Sequence, residues 1–115
     1  MAKYKESGTF VVGQSETSTI KLNERVLTGV IITGSTTSGS LITFLVSENG
    51  TDFYPLYDST GTEVYLTVTT VGRAYNLNPE VFMPWNYVKA RLGTSSSAVL
   101  QATRDSEIEF IADSM

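Results

Sequence analysis

The segment Glu63-Val64-Tyr65-Leu66-Thr67-Val68-Thr69 alternates polar and apolar residues, and a period of two is the side-chain repeat of an extended strand. Val64, Leu66 and Val68 share one face. The same pattern places Ile108 and Phe110 inward from Glu107 and Glu109, and Val88, Ala90 and Leu92 inward from Tyr87, Lys89 and Arg91. Thr sits beside Val, Ile, Leu and Phe along the chain, and β-branched side chains lose χ1 freedom in a helix but fit a pleated surface. No segment sustains a 3.6-residue period. Turn residues separate the runs at 33–35, 38–40, Asn49-Gly50, Thr60-Gly61, Gly72 and 93–97. Eight or nine short strands divided this way predict an all-β fold, an antiparallel sandwich or jelly roll.

Two local elements are sharper. Leu41-Ile42-Thr43-Phe44-Leu45-Val46-Ser47 runs into Asn49-Gly50 and returns through Phe53-Tyr54-Pro55-Leu56-Tyr57, which reads as a tight hairpin. Pro55 cannot donate to a ladder, so the return strand is expected at an edge. A turn over 58–62 then leads into the strand from Glu63, and the three strands are expected to form a meander. In Asn78-Pro79-Glu80-Val81-Phe82, Asn78 caps a short helical turn whose first position is Pro79.

The 115 residues fit one domain, expected as a β-sandwich over 9–115 preceded by an amino-terminal arm over 1–8. No signal-like segment opens the chain, and its apolar runs are far shorter than the ~20 residues of a membrane helix. The reading is a soluble protein made in the cytoplasm, with no membrane partner. The chain has no Cys and no His, which removes disulfides, thiolate metal sites and the Ser-His-Asp triad. Eight Lys plus Arg against twelve Asp plus Glu, net charge -4, argue against a nucleic-acid partner. No Gly-x-Ser-x-Gly elbow occurs, so no enzyme, cofactor or metal site is expected. Glu48, Asn49, Asp52 and Asp58 carry cation-ligand oxygens, but turn chemistry explains them. Glu107 and Glu109 are neighbours on one strand face and read as charges that discourage edge pairing, not as an acid–base pair.

The succession from Ser47, Asn49, Gly50, Phe53, Leu56, Asp58 and Gly61 to Leu77, Asn78, Pro79, Phe82 and Gly93 resembles a group of small tailed-phage proteins. The likeness runs from about Val26 onward, and the hairpin also resembles discoidin-like jelly rolls. The phage resemblance implies a head-decoration (cement) protein on the virion, bound to the outside of the major capsid protein lattice. A homo-trimer is one assembly it implies. A carbohydrate-binding or adhesion module, taking a glycan near 49–57, and a tail or neck component are the alternatives.

Aromatic side chains supply both core and interface area. Phe44, Phe53, Phe82 and Phe110 are read as core, and Trp85 as a plug at one end of the sandwich. Parity turns Tyr65 and Tyr87 outward, and Tyr54 and Tyr57 join them as a partner-binding group. Tyr4 in the arm and the cations Lys89 and Arg91 on one outer strand face complete the candidate surface. Ordinary surface cover is the competing reading for the four outward tyrosines, and solvation for the two cations.

Overall fold

The computed structural model describes residues 3–33, 41–68, 72–102 and 104–114. The turns expected within 34–40 and the last residue of the alternating strand, Thr69, lie outside these residues. Nine strands appear among those described: β1 Lys3–Phe10, β2 Ile20–Lys21, β3 Val26–Ile32, β4 Leu41–Ser47, β5 Tyr54–Pro55, β6 Tyr65–Thr67, β7 Arg73–Asn76, β8 Tyr87–Leu92 and β9 Ser106–Asp113. A single 3₁₀ turn, Pro79–Val81, interrupts them. Asn78 caps it as expected, its side chain accepting from Glu80 N.

The strands form two antiparallel sheets. One has the order β1-β9-β3-β7, the other β2-β8-β4-β5, with β6 also pairing with β4. Successive strands cross between sheets, except that β4, β5 and β6 stay together. If β5 and β6 count as one interrupted strand, this is the eight-strand jelly-roll winding. Alternation supplies the core: Val30, Ile32, Ile108, Phe110 and Ala112 from one sheet meet Ile42, Phe44, Val46, Val88, Ala90 and Leu92 from the other. Phe44 and Phe82 contact edge to face, with centroids 5.2 Å apart and planes at 89°, an arrangement that adds about 1 kcal/mol beyond burial.

Five sequence expectations change. Residues 3–8 are not an arm: all of β1 pairs with β9, from Lys3↔Asp113 to Phe10↔Ser106. Gly8 and Phe10 are buried on its inner face, which anchors the strand more strongly than its polar composition foretells.

The Asn49-Gly50 connection is wider than a two-residue hairpin, because pairing with β5 begins only at Val46↔Tyr54. Gly50 takes a positive φ of 80° and Asn49 does not. Instead the Asn49 carboxamide accepts from Thr51 N and Asp52 N.

The meander is also absent. β5 pairs with Leu45 and Val46, and β6 pairs with residues 41–43, along the same edge of β4. Between them the chain leaves the sheet at Leu56, turns over Asp58 and returns at Val64, whose N–H donates to Leu56 O. Pro55 does lie at the edge.

Glu107 and Glu109 belong to β9, which is an interior strand, so they protect no edge. They point outward, and Glu109 pairs with Lys5 at 3.3 Å. Phe53 is only half-buried and lies outside the core cluster, beneath the Lys89 ammonium.

Candidate interaction surface

The register of the five-stranded sheet aligns Tyr65, Thr43 and Arg91 in one row, Pro55, Leu45 and Lys89 in the next, and Ser47 and Tyr87 in a third. Their neighbours in sequence face the core, so these side chains face away from it. An outer sheet face is ordinarily wet. Here Thr43, Leu45, Ser47 and Arg91 are buried, and Leu45 is not part of the core cluster. A thin second layer covers them.

That layer is held by polar contacts from three loops. Arg91 Nη2 meets Glu63 Oε2 at 2.6 Å, and Arg91 Nε donates to Thr43 Oγ1 at 3.1 Å. Thr43 Oγ1 in turn donates to Gly93 O at 2.7 Å. The other Glu63 oxygen accepts from Ser95 N and Oγ, and Ser95 Oγ lies 2.8 Å from Tyr57 Oη. The guanidinium therefore ties the 57–63 excursion and the loop after β8 to the sheet. Its charge is matched by a carboxylate in a poorly solvated place, where attraction is stronger than in water.

The third loop is residues 47–53. Ser47 Oγ accepts from Asn49 N and Gly50 N. Gly50 sits over the Tyr87 ring, so closely that a Cβ there would lie 3.0 Å from Cζ. Beside it Lys89 Nζ stands 4.5 Å from the Phe53 centroid and 3.5 Å from Glu16 Oε1.

The seven sequence candidates separate accordingly. Tyr57 and Tyr65 stand on this layer with 48% and 58% of their surface exposed. Tyr87 and Lys89 are half-buried within it, and Arg91 is buried beneath it, so Arg91 is unavailable as a docking cation. Tyr54 pairs with core-facing Val46, and so projects from the inner side of the sheet past its edge. Its 61% exposure belongs to a different surface, next to Trp85. Tyr4 belongs to the other sheet, half-buried on the inner face of β1 with the Arg25 guanidinium 4.6 Å from its ring centroid. Its hydroxyl donates to Glu6, and that bond, with burial next, raises the phenol above its ordinary value of 10.0.

Glu63, Thr43 and Ser95 were missed by sequence reasoning. One signal was present: Thr43 is a polar residue inside the apolar run of β4. Asp58 makes the turn that carries Glu63 into place. The Thr60 hydroxyl, then the Thr62 and Thr60 N–H groups, hold its carboxyl below the usual 3.8. Among the described residues no group of three or more Asp or Glu side chains is placed to hold a metal ion. No helix among them is long and apolar enough to cross a membrane. Tyr57 and Tyr65 are the large exposed aromatic side chains of this layer.

No family model and no curated protein matches the chain. Among solved structures it is similar to the SPBc2 prophage-derived protein YomS, with TM-score 0.57 and 17% identity. The match covers 97% of this chain and 95% of that one, so the likeness is of the whole jelly roll.

Proposed function

We propose that the chain is a structural protein of a tailed-phage virion, a decoration protein on the outside of the major capsid protein lattice. The observation that carries this reading is the Tyr57–Tyr65 surface, two exposed aromatics, one on a loop and one on the edge strand β6, beside a buried ion pair. Tyrosines on a rigid support are favoured anchors, because little conformational freedom is lost on docking. The fold likeness to a prophage-derived protein over nearly the whole of both chains supports a phage setting. The mechanism is mechanical. Area buried between this face and neighbouring capsid subunits stabilises the assembled shell, and a trimer would multiply weak contacts.

Binding to purified shells, read by co-sedimentation, tests the reading. Tyr57→Ala and Tyr65→Ala should each weaken binding by about tenfold, as truncation of an interface anchor does, while the circular dichroism spectrum stays unchanged. Shells carrying the protein should resist heat and low salt better than bare shells. Failure to bind shells, or a copy number of only a few per virion, would overturn the lattice assignment; the latter would favour a tail or neck component.

A further inference from the structure

At the opposite end of the molecule from the loop after β8, two clefts adjoin. The larger, of ≈ 440 Å³, is lined by Lys21, Asn23, Glu24, Glu48, Asn86 and Tyr87. The second, of ≈ 260 Å³, is lined by Glu48, Asn49, Asp52, Tyr54 and Trp85. Glu48 lines both. Tyr87, the first residue of β8, lines the larger cleft, and Trp85, in the turn before β8, lines the second together with Tyr54 from the edge of the sheet.

The lining restricts the ligand. Glu24, Glu48 and Asp52 outnumber the one cation, Lys21, which disfavours phosphate and other anions. A purely apolar ligand would strand the carboxylates and amides of the rim. Carboxylates accept hydroxyl hydrogens, amides both donate and accept, and ring faces attract polarised C–H groups. A neutral sugar presents these partners together, hydroxyls around its rim and C–H groups on its faces. Two clefts that meet at Glu48, with an aromatic side chain lining each, fit adjacent sugar units.

Two further features mark this end. Asn23 and Glu24 both take left-handed backbone, with φ of 54° and 63°, and such strain gathers where a surface must keep a set shape. The Glu48 side chain has no hydrogen-bond or ion-pair partner among the described residues, although Asn86 Nδ2 fixes its backbone by donating to Glu48 O at 3.0 Å. The carboxylate is thus presented on a positioned backbone between the two aromatic groups.

The geometry points to a binding site for a neutral oligosaccharide spanning these two clefts, with Trp85 and Tyr54 as stacking surfaces, Tyr87 as a wall of the larger cleft and Glu48 as the shared hydroxyl acceptor. This site meets the outer layer only at Tyr87, two rows along the sheet from Tyr65, and does not depend on the capsid reading.

Trp85 is the chain's single tryptophan, so its fluorescence reports directly on the second cleft. The full chain is titrated with maltotetraose, cellotetraose, chitotetraose and mannotetraose, alongside a glycan array. The expected result is a saturable change in Trp85 emission with at least one neutral tetrasaccharide. Tyr54→Ala and Glu48→Gln should each weaken it at least tenfold, while Tyr57→Ala and Tyr65→Ala leave it unchanged. Both cleft variants alter exposed side chains, and circular dichroism confirms that they fold. No saturable change and no array signal would overturn the site, as would a response insensitive to Tyr54→Ala and Glu48→Gln. A change in Trp85 emission with capsid shells but with no sugar would make this end a protein-docking face and also overturn it.

Discussion

Arg91 and Glu63 form an ion pair on the solvent side of a sheet, 2.6 Å apart, with only 7% and 14% of their side chains exposed. The sandwich core does not contain them. They hold a second layer over the five-stranded sheet, and the exposed Tyr57 and Tyr65 stand on that layer.

Removing one partner leaves an uncompensated charge in a desolvated place. Arg91→Ala or Glu63→Ala should each cost about 3 kcal/mol of stability. Replacing both by apolar residues of similar size, Arg91→Met with Glu63→Leu, should recover most of that loss. Urea unfolding midpoints at constant m-value measure it. Single losses under 1 kcal/mol would show the pair to be screened by water.

Gly93 and Gly61 share a positive φ, 85° and 84°, but not a neighbourhood. A Cβ at Gly93 would meet Ser97 O at 2.3 Å, whereas at Gly61 nothing lies within 4 Å. Gly61→Ala should therefore cost only the left-handed backbone term, about 1 kcal/mol. Gly93→Ala must also displace backbone and should cost at least about 3 kcal/mol. Equal thermal shifts for the two variants would contradict the packing of the loop after β8.

Glu24 occupies left-handed backbone at the turn joining β2 and β3, where Arg25 N donates to Leu22 O. A glycine has no steric penalty there but is more flexible when unfolded. Glu24→Gly should therefore stabilise by about 0.5–1 kcal/mol, measured by calorimetry. Destabilisation would mean that the Glu24 side chain makes a contribution beyond its backbone.

Asp58 is held below its ordinary pKa by the Thr60 hydroxyl and the backbone of the turn. A lowered folded-state value stabilises the fold above the unfolded value of 3.8, and that contribution disappears as pH falls through the folded one. The native protein should lose this share of its stability in the acid range below about pH 4. Asp58→Ala should lower stability at neutral pH and flatten the acid limb of the stability–pH curve. An acid limb unchanged in slope would show that other carboxylates account for it.

Much of the fold was legible because strand parity is local. The spacing of Val88, Ala90 and Leu92, or of Ile108 and Phe110, identifies the inward face without any knowledge of neighbours. The Asn78–Pro79 cap and the Asp58 turn were equally readable, since each is completed within a few residues. The surface was less so. Parity placed Tyr65 and Arg91 on the same outward side, but it carried no information that Glu63 and Ser95 would cover one and leave the other exposed. Tyr54 was assigned outward with Tyr57, yet the interrupted edge strand turns them to opposite sides.

From the residues alone came the all-β class, the inward and outward side of most strands, the edge position of Pro55 and the exclusion of His- and Cys-based chemistry. Strand order needed the tertiary structure: that β9 lies inside its sheet, that β1 completes it, and that β5 and β6 share one edge of β4. The reason is physical. A two-residue period specifies which way a side chain points, whereas the identity of the strand beside it depends on contacts between residues far apart in sequence. The Arg91–Glu63 pair, 28 residues apart, depends on the same long-range pairing.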